Sequence, residues 1–234
     1  MAYPLNEFYS RIYKRYDFIN RLFTFGMDQS WRKEAVRQCL HYKPESVLDL
    51  CCGTGDLSIL LAGIGDGKVS VTGFDRNTRM LEVARQKSQR KGLHTLRYVQ
   101  GDALQMPFAP DSFDAITIGF GFRNLTYDTP QSSSHIMEMH RVLKRGGMLF
   151  ILESGVPENR WVRFIFKIYL TLVLIPLGFI LSGDRKAYSY LAHSASNFFP
   201  AEEVYRMLSG QGFEIAARKI FFLGAASLIA AKKQ

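Results

Sequence analysis

Residues 46–56 read SVLDLCCGTGD and residues 69–75 read VSVTGFD, and these two segments decide the fold. Each begins with a short apolar run that is typical of a strand buried on both faces. The first run leads into a turn in which Gly53 and Gly55 allow positive φ and a close backbone approach to a ligand. The second run ends at Asp75, about 20 residues beyond the glycines, where a carboxylate can accept hydrogen bonds from both hydroxyls of a ribose. Together the segments predict a nucleoside site.

The number of glycines distinguishes between two classes of cofactor. A dinucleotide site needs a third glycine so that a helix N-terminus can hold the pyrophosphate, and here Ile59 and Leu60 occupy that region. A cofactor with a ribose and no phosphate fits better, and S-adenosylmethionine is such a cofactor. We expect Asp49 to hold its amino group directly or through water, or else to anchor the turn by accepting backbone N–H bonds. A glycine-rich turn without a cofactor is the alternative interpretation.

Polar clusters follow two further predicted strands. The first strand, over residues 98–100, precedes Asp102 and Ala103, which we expect to accept from the adenine amine and to flank the adenine ring. The second strand, over residues 113–118, leads into the sequence GFGFRN at residues 119–124. Because ligands bind at the carboxyl ends of the strands in open α/β sheets, we predict that these clusters meet in one site.

The rest of the chain completes an α/β fold. A fifth strand is predicted over residues 148–153, and two strand-like runs, over residues 213–220 and 225–231, should pair as an antiparallel hairpin at the sheet edge. This is the class I S-adenosylmethionine-dependent methyltransferase fold, with a seven-stranded, mostly parallel sheet. We interpret all 234 residues as one methyltransferase domain, with an N-terminal helical arm over residues 1–45 and an apolar helical lid over about residues 155–200.

Composition excludes some functional classes. Cys39, Cys51 and Cys52 are too few and too close for a disulfide framework, which favours a reducing cytoplasm, and the scattered histidines predict no metal site. A net charge of +9 is compatible with binding to nucleic acid or to an anionic membrane, and also with a solvated basic face that binds neither. Since basic residues flank the long apolar segment, lipid headgroups fit better than a duplex, and we expect no nucleic-acid partner.

The apolar segment covers residues 168–181. A transmembrane helix needs about 20 residues, and Pro176 and Gly178 interrupt this one. We therefore expect a broken pair of short helices that covers the active site or dips into the membrane interface, rather than a span. An apolar cover predicts an apolar substrate.

Motifs along nearly the whole chain point to one family. They are Tyr16-Asp-Phe-Ile-Asn20, Trp31-Arg32, the glycine turn, Gly119-Phe-Gly-Phe-Arg-Asn124, Arg141-Val-Leu-Lys-Arg-Gly-Gly147, Tyr188-Ser-Tyr190 and Phe199-Pro200. On these motifs the chain resembles the quinone-biosynthesis C-methyltransferases that act on demethylmenaquinone or on 2-polyprenyl-6-methoxy-1,4-benzoquinol. Two departures matter: Asp28 stands where histidine is common, so no catalytic histidine is assigned there, and Gly119 stands where some members carry serine, so only a backbone cofactor contact carries over.

The resemblance implies cofactor contacts at Thr54, Asp75, Asp102 and Ala103, and a methyl transfer to a ring carbon beside a hydroxyl. Such a carbon attacks well only when the hydroxyl is ionised, and Arg123 is our candidate for stabilising that phenolate, with a structural salt bridge as its alternative role. A water held by Asn124 or Asp102, or Tyr190 itself, is the candidate base. Tyr190 and His193 are substrate-side candidates that could instead form only a lid face.

The expected partners are a prenylated hydroquinone substrate and the inner face of the cell membrane as a peripheral contact, with a homodimer among the open oligomeric states. Naphthoquinol is favoured over benzoquinol because the chain lacks an organellar transit peptide, which points to a bacterium. The sequence leaves two other functions open. One is an inactive cofactor-binding scaffold in a quinone-biosynthesis complex, and the other is a methyltransferase for RNA or another small molecule.

Overall fold

A seven-stranded sheet forms the centre of the computed structural model, which describes residues 5–234. The strands are β1 (Ser46–Leu50), β2 (Ser70–Asp75), β3 (Arg97–Gln100), β4 (Phe113–Gly119), β5 (Leu143–Ser154), β6 (Phe213–Phe221) and β7 (Ala226–Lys233). Their order across the sheet is β3-β2-β1-β4-β5-β7-β6. Strands β1 to β5 are parallel, and β7 runs antiparallel to both neighbours. This confirms the predicted class I fold with its terminal hairpin.

The hairpin enters the sheet with its second strand inside. Strand β7 lies between β5 and β6 and is buried along most of its length, whereas β6 is largely exposed. The sequence accounts for this order because β7 carries the apolar run around Leu228 and Ile229, while β6 carries Arg218 and Lys219, which suit an exposed edge.

Helices cover both faces of the sheet. They are α1 (Leu5–Ile12), α2 (Tyr16–Phe23), α3 (Met27–His41), α4 (Asp56–Ile64), α5 (Thr78–Arg90), α6 (Phe122–Thr126), α7 (Ser132–Val142), α8 (Arg160–Tyr169), α9 (Ile175–Ser182), α10 (Arg185–Ser196) and α11 (Ala201–Ser209). On one face Val47 and Val71 pack with Leu57 of α4, and on the other Leu48 and Ile116 pack in the cluster that includes α7. The central strands are therefore buried on both faces, as their apolar runs predict.

Two helical units stand above the carboxyl ends of the strands. The N-terminal arm, α1 and α2, shares an apolar cluster with α10 in which Phe8, Ile12 and Ile19 contact Tyr188. We call the segment from α8 to α10 the lid. The arm and the lid therefore pack against each other over the edge of the sheet where ligands bind in this fold class.

The lid corrects one expectation, since the apolar segment is not a broken pair of helices. Helix α8, a π-helical segment (Leu170–Leu174) and α9 follow one another as a helix of 23 residues, Arg160–Ser182, that is long and apolar enough to cross a membrane by length and composition. Pro176 lies in the first turn of α9, where its missing N–H is tolerated best. A side chain at Gly178 would lie 2.3 Å from the Tyr188 ring, so glycine lets α9 approach α10 rather than breaking the helix.

Candidate active site

The glycine turn after β1 uses its two glycines for different purposes. Both have positive φ, +54° at Gly53 and +79° at Gly55. A Cβ at Gly53 would meet no heavy atom of the described chain within 4 Å, so this position faces open space. A Cβ at Gly55 would lie 2.6 Å from Tyr98 Oη and 2.9 Å from Ala84 Cβ, so this glycine is required by packing. Gly53 is therefore the part of the turn that a ligand can approach.

Asp75 ties the end of β2 to this turn. Its Oδ2 accepts a hydrogen bond from the Gly53 N–H at 2.8 Å, and its Oδ1 accepts one from the Asn77 N–H at 2.8 Å. Burial raises the pKa of the carboxyl, and these backbone N–H bonds oppose the rise. Each carboxylate oxygen keeps a further lone pair after one bond, so Asp75 can still accept from two hydroxyls of a ribose. The open space at Gly53 and this acceptor capacity together fit a nucleoside cofactor.

Asp49 is a fully buried anchor beneath the turn. Its carboxylate accepts hydrogen bonds from Ser58 Oγ of α4 and, at 3.2 Å, from Thr117 Oγ1 of β4. Burial raises the pKa of Asp49 to about 6, while the two hydroxyl bonds and the charge of Arg32 oppose the rise. Asp49 therefore anchors α4 and β4 beneath the turn, which is the kind of role that the sequence left open. A contact of Asp49 with the cofactor amino group stays a prediction.

The other predicted cofactor residues lie at the same edge of the sheet. Asp102, just beyond β3, is half-exposed, accepts from the Leu104 N–H at 3.0 Å, and lies 3.8 Å from an Arg76 nitrogen. Ala103 beside it is buried. Thr54 in the glycine turn is also buried, and its hydroxyl donates to Asp17 of α2 at 2.5 Å. Their contacts with a cofactor remain predictions.

The arm is fastened across this end of the sheet by polar contacts. Lys87 of α5 lies 2.8 Å from Asp17 Oδ2 and also pairs with Asp56 at the start of α4. Asn77 donates to Asn6 Oδ1 at 2.8 Å and to Ser10 Oγ at 2.7 Å. The amphipathic arm is thus a cover over the glycine turn as well as one wall of the adjoining cavity.

A cavity of about 500 Å³ lies between the arm, the lid and the ends of β4 and β5, and we call it the main cavity. Its volume is within the range of small-molecule sites. Its polar members are few, and aromatic and aliphatic side chains make up most of the wall: Phe8, Tyr9, Ile12, Tyr16, Ile19, Phe23, Phe25, Met27, Trp31, Phe120, Pro157, Val162, Ile165, Phe166, Tyr169, Leu170, Leu174, Tyr188, Leu191, Phe222 and Leu223. The predicted apolar substrate would therefore find a matching site.

Arg123 supplies a buried cation to this apolar wall. Its Nη1 donates to Ser154 Oγ at 2.7 Å, and its backbone N–H donates to Glu153 Oε2 at 3.0 Å. Among residues 5–234 no carboxylate lies within 4.0 Å of the guanidinium, so the alternative role as a salt-bridge partner is wrong. The Arg123 Nε atom is buried without a hydrogen-bond partner in the described chain. Since a buried donor without a partner is unfavourable, this atom is suited to a ligand oxygen.

Asn124 contacts Tyr9 of the arm, a pairing that the sequence did not predict. Its Nδ2 donates to Tyr9 Oη at 3.2 Å, and burial raises the pKa of Tyr9 well above its usual value while the charge of Arg123 opposes the rise. Tyr9 has the helical spacing of a core residue, and only the docking of the arm brings it to Arg123. The Tyr9–Asn124 bond thus links the arm to the loop after β4.

A second cation, Arg32, lies on the opposite wall. It is buried, lies 3.5 Å from Asp28 Oδ2, and packs over the Phe120 ring at 5.0 Å from the ring centre. A side chain at Gly119 would lie 2.9 Å from Arg32 Nη1, so the glycine leaves room for this guanidinium. Trp31 next to it stacks on Phe221. Trp31 therefore pins α3 to β6 and also lines the main cavity, as Arg32 does.

The two candidate residues of the lid, Tyr190 and His193, lie outside the wall of the main cavity. Helix α10 turns Tyr188, Leu191 and Ala195 toward the cavity. His193 is exposed and bonds with Asn197, so the structure corrects its placement as a substrate-side residue. Tyr190 is half-buried outside the cavity wall, and burial raises its pKa while the charge of Arg123 opposes the rise. The reason is the helical period, which turns neighbouring residues to different sides.

Comparisons with known proteins identify one family and, separately, support the fold. The family model described as the ubiE/COQ5 methyltransferase family matches residues 2–233. A demethylmenaquinone methyltransferase of Thermotoga maritima is 40% identical over 215 residues, which cover 92% of this chain and 90% of that protein. One of Thermus thermophilus is 38% identical over 92% of this chain and 94% of its own length. A solved SAM-dependent methyltransferase from Aquifex aeolicus has a TM-score of 0.57 at 17% identity, over 80% of this chain and 81% of that one, which supports the fold.

Proposed function

This chain belongs to the ubiE/COQ5 methyltransferase family, and from that premise we propose that it methylates a ring carbon of demethylmenaquinol with S-adenosylmethionine as the methyl donor. The observation that carries the proposal is a buried Arg123, whose Nε has no hydrogen-bond partner in the described chain, in the wall of a mainly apolar cavity of about 500 Å³. A prenylated hydroquinone matches this arrangement, because its ring hydroxyl is polar and its long tail is apolar. The names of the relatives favour the naphthoquinol over the benzoquinol.

The cofactor would be held at the ends of β1, β2 and β3. Asp75 would bind the ribose of S-adenosylmethionine, Gly53 would lie next to its amino-acid part, and Asp102 would lie beside its adenine. The sulfonium supplies an electrophilic methyl group. The protein's own contribution is to align the ring carbon with that group and to exclude water, for which effective molarities of about 10⁵ M or more have precedents.

Arg123 makes the ring a better nucleophile. A free phenol titrates near pH 10, and a guanidinium close to its oxygen lowers that pKa by about 1 to 3 units. In an apolar cavity the effect is less screened than in water, because the effective dielectric constant is lower. Arg123 would therefore hold the ring oxygen as it ionises, while Asn124 and Tyr9 keep the loop after β4 in place.

The apolar wall supplies most of the binding energy. Each buried methylene contributes about 0.8 kcal/mol, so a few isoprene units outweigh the contacts of the ring. Binding would then depend on the tail, while the position of the ring relative to Arg123 determines the chemistry.

We also infer that the mouth of the main cavity lies against the membrane. Phe25, Ile165 and Leu223 belong to the cavity wall and yet are 77%, 65% and 72% exposed, which makes them its rim. The outward face of the neighbouring lid helix adds a larger exposed apolar patch of Trp161, Phe164, Ile168 and Leu172.

The charges beside this patch favour an anionic lipid surface. Residues 160–182 contain Arg160, Arg163 and Lys167 and no acidic residue. A peripheral contact fits better than a span, because Phe166 and Tyr169 on the other side of the same helix line the main cavity. The prenyl tail would then leave the protein directly into the inner leaflet, on the cytoplasmic side.

A methyl-transfer assay tests the proposed function. The purified protein is given labelled S-adenosylmethionine with detergent-dispersed demethylmenaquinol, a prenylated methoxybenzoquinol, or total RNA, and products are identified by mass spectrometry. We expect methylation of the naphthoquinol ring. Label only in RNA or only in the benzoquinol would contradict the proposed substrate. Donor binding by calorimetry without methylation of any of the three would point to the inactive scaffold instead.

A further inference from the structure

Glu153, at the carboxyl end of β5, is a buried carboxylate that the mechanism above does not use. It is 3% exposed. Its Oε2 accepts from the Arg123 backbone N–H at 3.0 Å, and its Oε1 accepts from the Ser154 N–H and from Ser154 Oγ, each at 2.8 Å. Within residues 5–234 no cation lies within 4.0 Å of it. Neutral donors therefore hold this buried carboxylate, which is not half of an ion pair among the described residues.

Ser154 connects this carboxylate to the main cavity. The Ser154 residue forms part of the cavity wall, and its hydroxyl accepts from Arg123 Nη1 at 2.7 Å while it donates to Glu153. A hydroxyl has one proton to donate and two lone pairs that accept, so one lone pair remains after these two bonds. A ring hydroxyl bound at Arg123 can donate to that lone pair.

A second cavity, of about 460 Å³, lies on the other side of Glu153 and Ser154, and both residues line it. Its wall also carries the charged side chains of Glu158, Arg163, Glu202 and Arg218, so it is polar and large enough to hold water. Glu153 therefore stands between an apolar substrate cavity and a polar one. Ser154 is the residue shared by the two walls.

We propose that Ser154 and Glu153 form the proton relay of the methyl transfer. The inference rests on the proposed function and names the proton acceptor of the same site. As the ring O–H bond breaks, its proton passes to Ser154 Oγ while the Ser154 proton passes to Glu153 Oε1. The electron pair stays on the ring oxygen, which becomes a phenolate beside Arg123, and Glu153 becomes a carboxylic acid.

The remaining protons balance. Once the ring carbon carries the new methyl group, the hydrogen already bonded to that carbon leaves as a proton. A proton adds to the ring oxygen in its place, which restores the hydroxyl and the aromatic ring. Glu153 gives its proton to water in the second cavity. One proton is released in total, equal to the positive charge that the methyl donor loses. The sequence suggested a water held by Asn124 or Asp102, or Tyr190, as the base. These are less well placed, since none of the three residues belongs to the main cavity wall.

The variants Ser154→Ala and Glu153→Gln test the relay. We expect each to lower kcat by about 10²- to 10⁴-fold, which is the usual contribution of a positioned base. KM for the quinol should change by less than about threefold, because ground-state binding by the apolar wall is intact. Glu202→Gln is the matched control, since Glu202 lines the second cavity without touching Ser154, and its kcat should equal that of the wild type.

The pH profile separates a relay from a structural role. The titratable or charged groups that act on Glu153 or face it are Tyr9 of the arm, Cys51 of the glycine turn, Arg123, and the second-cavity residues Glu158, Arg163, Glu202 and Arg218. In both variants log kcat should rise by about one per pH unit from about pH 7 to 9, because hydroxide then ionises the ring directly. The control and the wild type should lack this extra rise.

Three results would overturn the proposal, and they are distinguishable. If the wild type methylates the quinol and both variants keep kcat within about threefold of it, the relay is wrong and the function stands. If both variants lose activity with no recovery at high pH, the residues are structural, and calorimetric donor binding with thermal melting identifies which variant folds. If the wild type binds the donor and leaves the quinol unmethylated, the proposed function fails and the relay fails with it.

Discussion

Replacing Gly55 with alanine should damage folding far more than replacing Gly53, although both belong to the same turn. Each substitution places a Cβ on a residue with positive φ, and that strain costs about 1–2 kcal/mol. At Gly55 the new Cβ would also lie 2.6 Å from Tyr98 Oη and 2.9 Å from Ala84 Cβ. Overpacking of this kind costs about 1–3 kcal/mol more. We therefore expect Gly55→Ala to lower the free energy of unfolding by about 2–5 kcal/mol.

The Gly53 substitution is the matched comparison. Its Cβ meets open space, so only the strain of about 1–2 kcal/mol should appear in stability. That same space is where the cofactor would approach, so the affinity for S-adenosylmethionine should fall. Urea unfolding measures the first effect and calorimetric titration with S-adenosylmethionine measures the second.

A double variant isolates the packing contribution. Tyr98→Phe removes the oxygen that stands closest to the new Cβ, so Gly55→Ala combined with Tyr98→Phe should recover about 1 kcal/mol or more of the loss. Equal destabilisation by the two glycine variants, or a double variant whose effects simply add, would refute the assignment of Gly55 to packing.

Three further predictions concern the site, the lid and the buried anchor. Arg123→Met should lower kcat by about 10- to 1000-fold with donor affinity unchanged, whereas Asp75→Ala should mainly weaken donor binding. Initial rates measure kcat and calorimetry measures the affinity for the donor. A loss of donor affinity in both variants would contradict the roles assigned to Arg123 and Asp75. Trp161→Asp should reduce flotation with anionic vesicles more than tenfold, while Met137→Asp, at a similarly exposed position on α7, should not. Loss of flotation in both variants would argue against a membrane face. So would a dimer, measured by light scattering, that the Trp161 variant alone dissociates. Because burial holds the pKa of Asp49 at about 6, above its unfolded value near 4, the folded chain binds that proton more tightly and stability should fall as pH rises through this window. Asp49→Asn should flatten that part of the stability curve in urea unfolding, and an unchanged slope would refute it.

The strands, the glycine turn and the residues at the strand ends could be predicted because each depends on short-range patterns. An apolar run of four to six residues bounded by glycine is a buried strand whatever lies far away in the chain. Asp75 ends the run of β2 and Asp102 follows the short strand β3, so their meeting at one edge of the sheet comes directly from parallel strand order. The hairpin could be predicted for the same reason, since two strands without a helix between them must pair antiparallel.

The chain's own sequence thus determined the class of fold, the edge of the sheet that carries the site, and the nature of the cofactor. Tertiary structure alone decided that Tyr9 meets Asn124, that Gly55 packs against Tyr98, that His193 faces outward, and that Ser154 joins two cavities. The physical reason is range. Helical and strand periods are set by neighbouring residues, whereas the docking of the arm and lid depends on contacts between residues more than a hundred positions apart, such as the 115 that separate Tyr9 from Asn124.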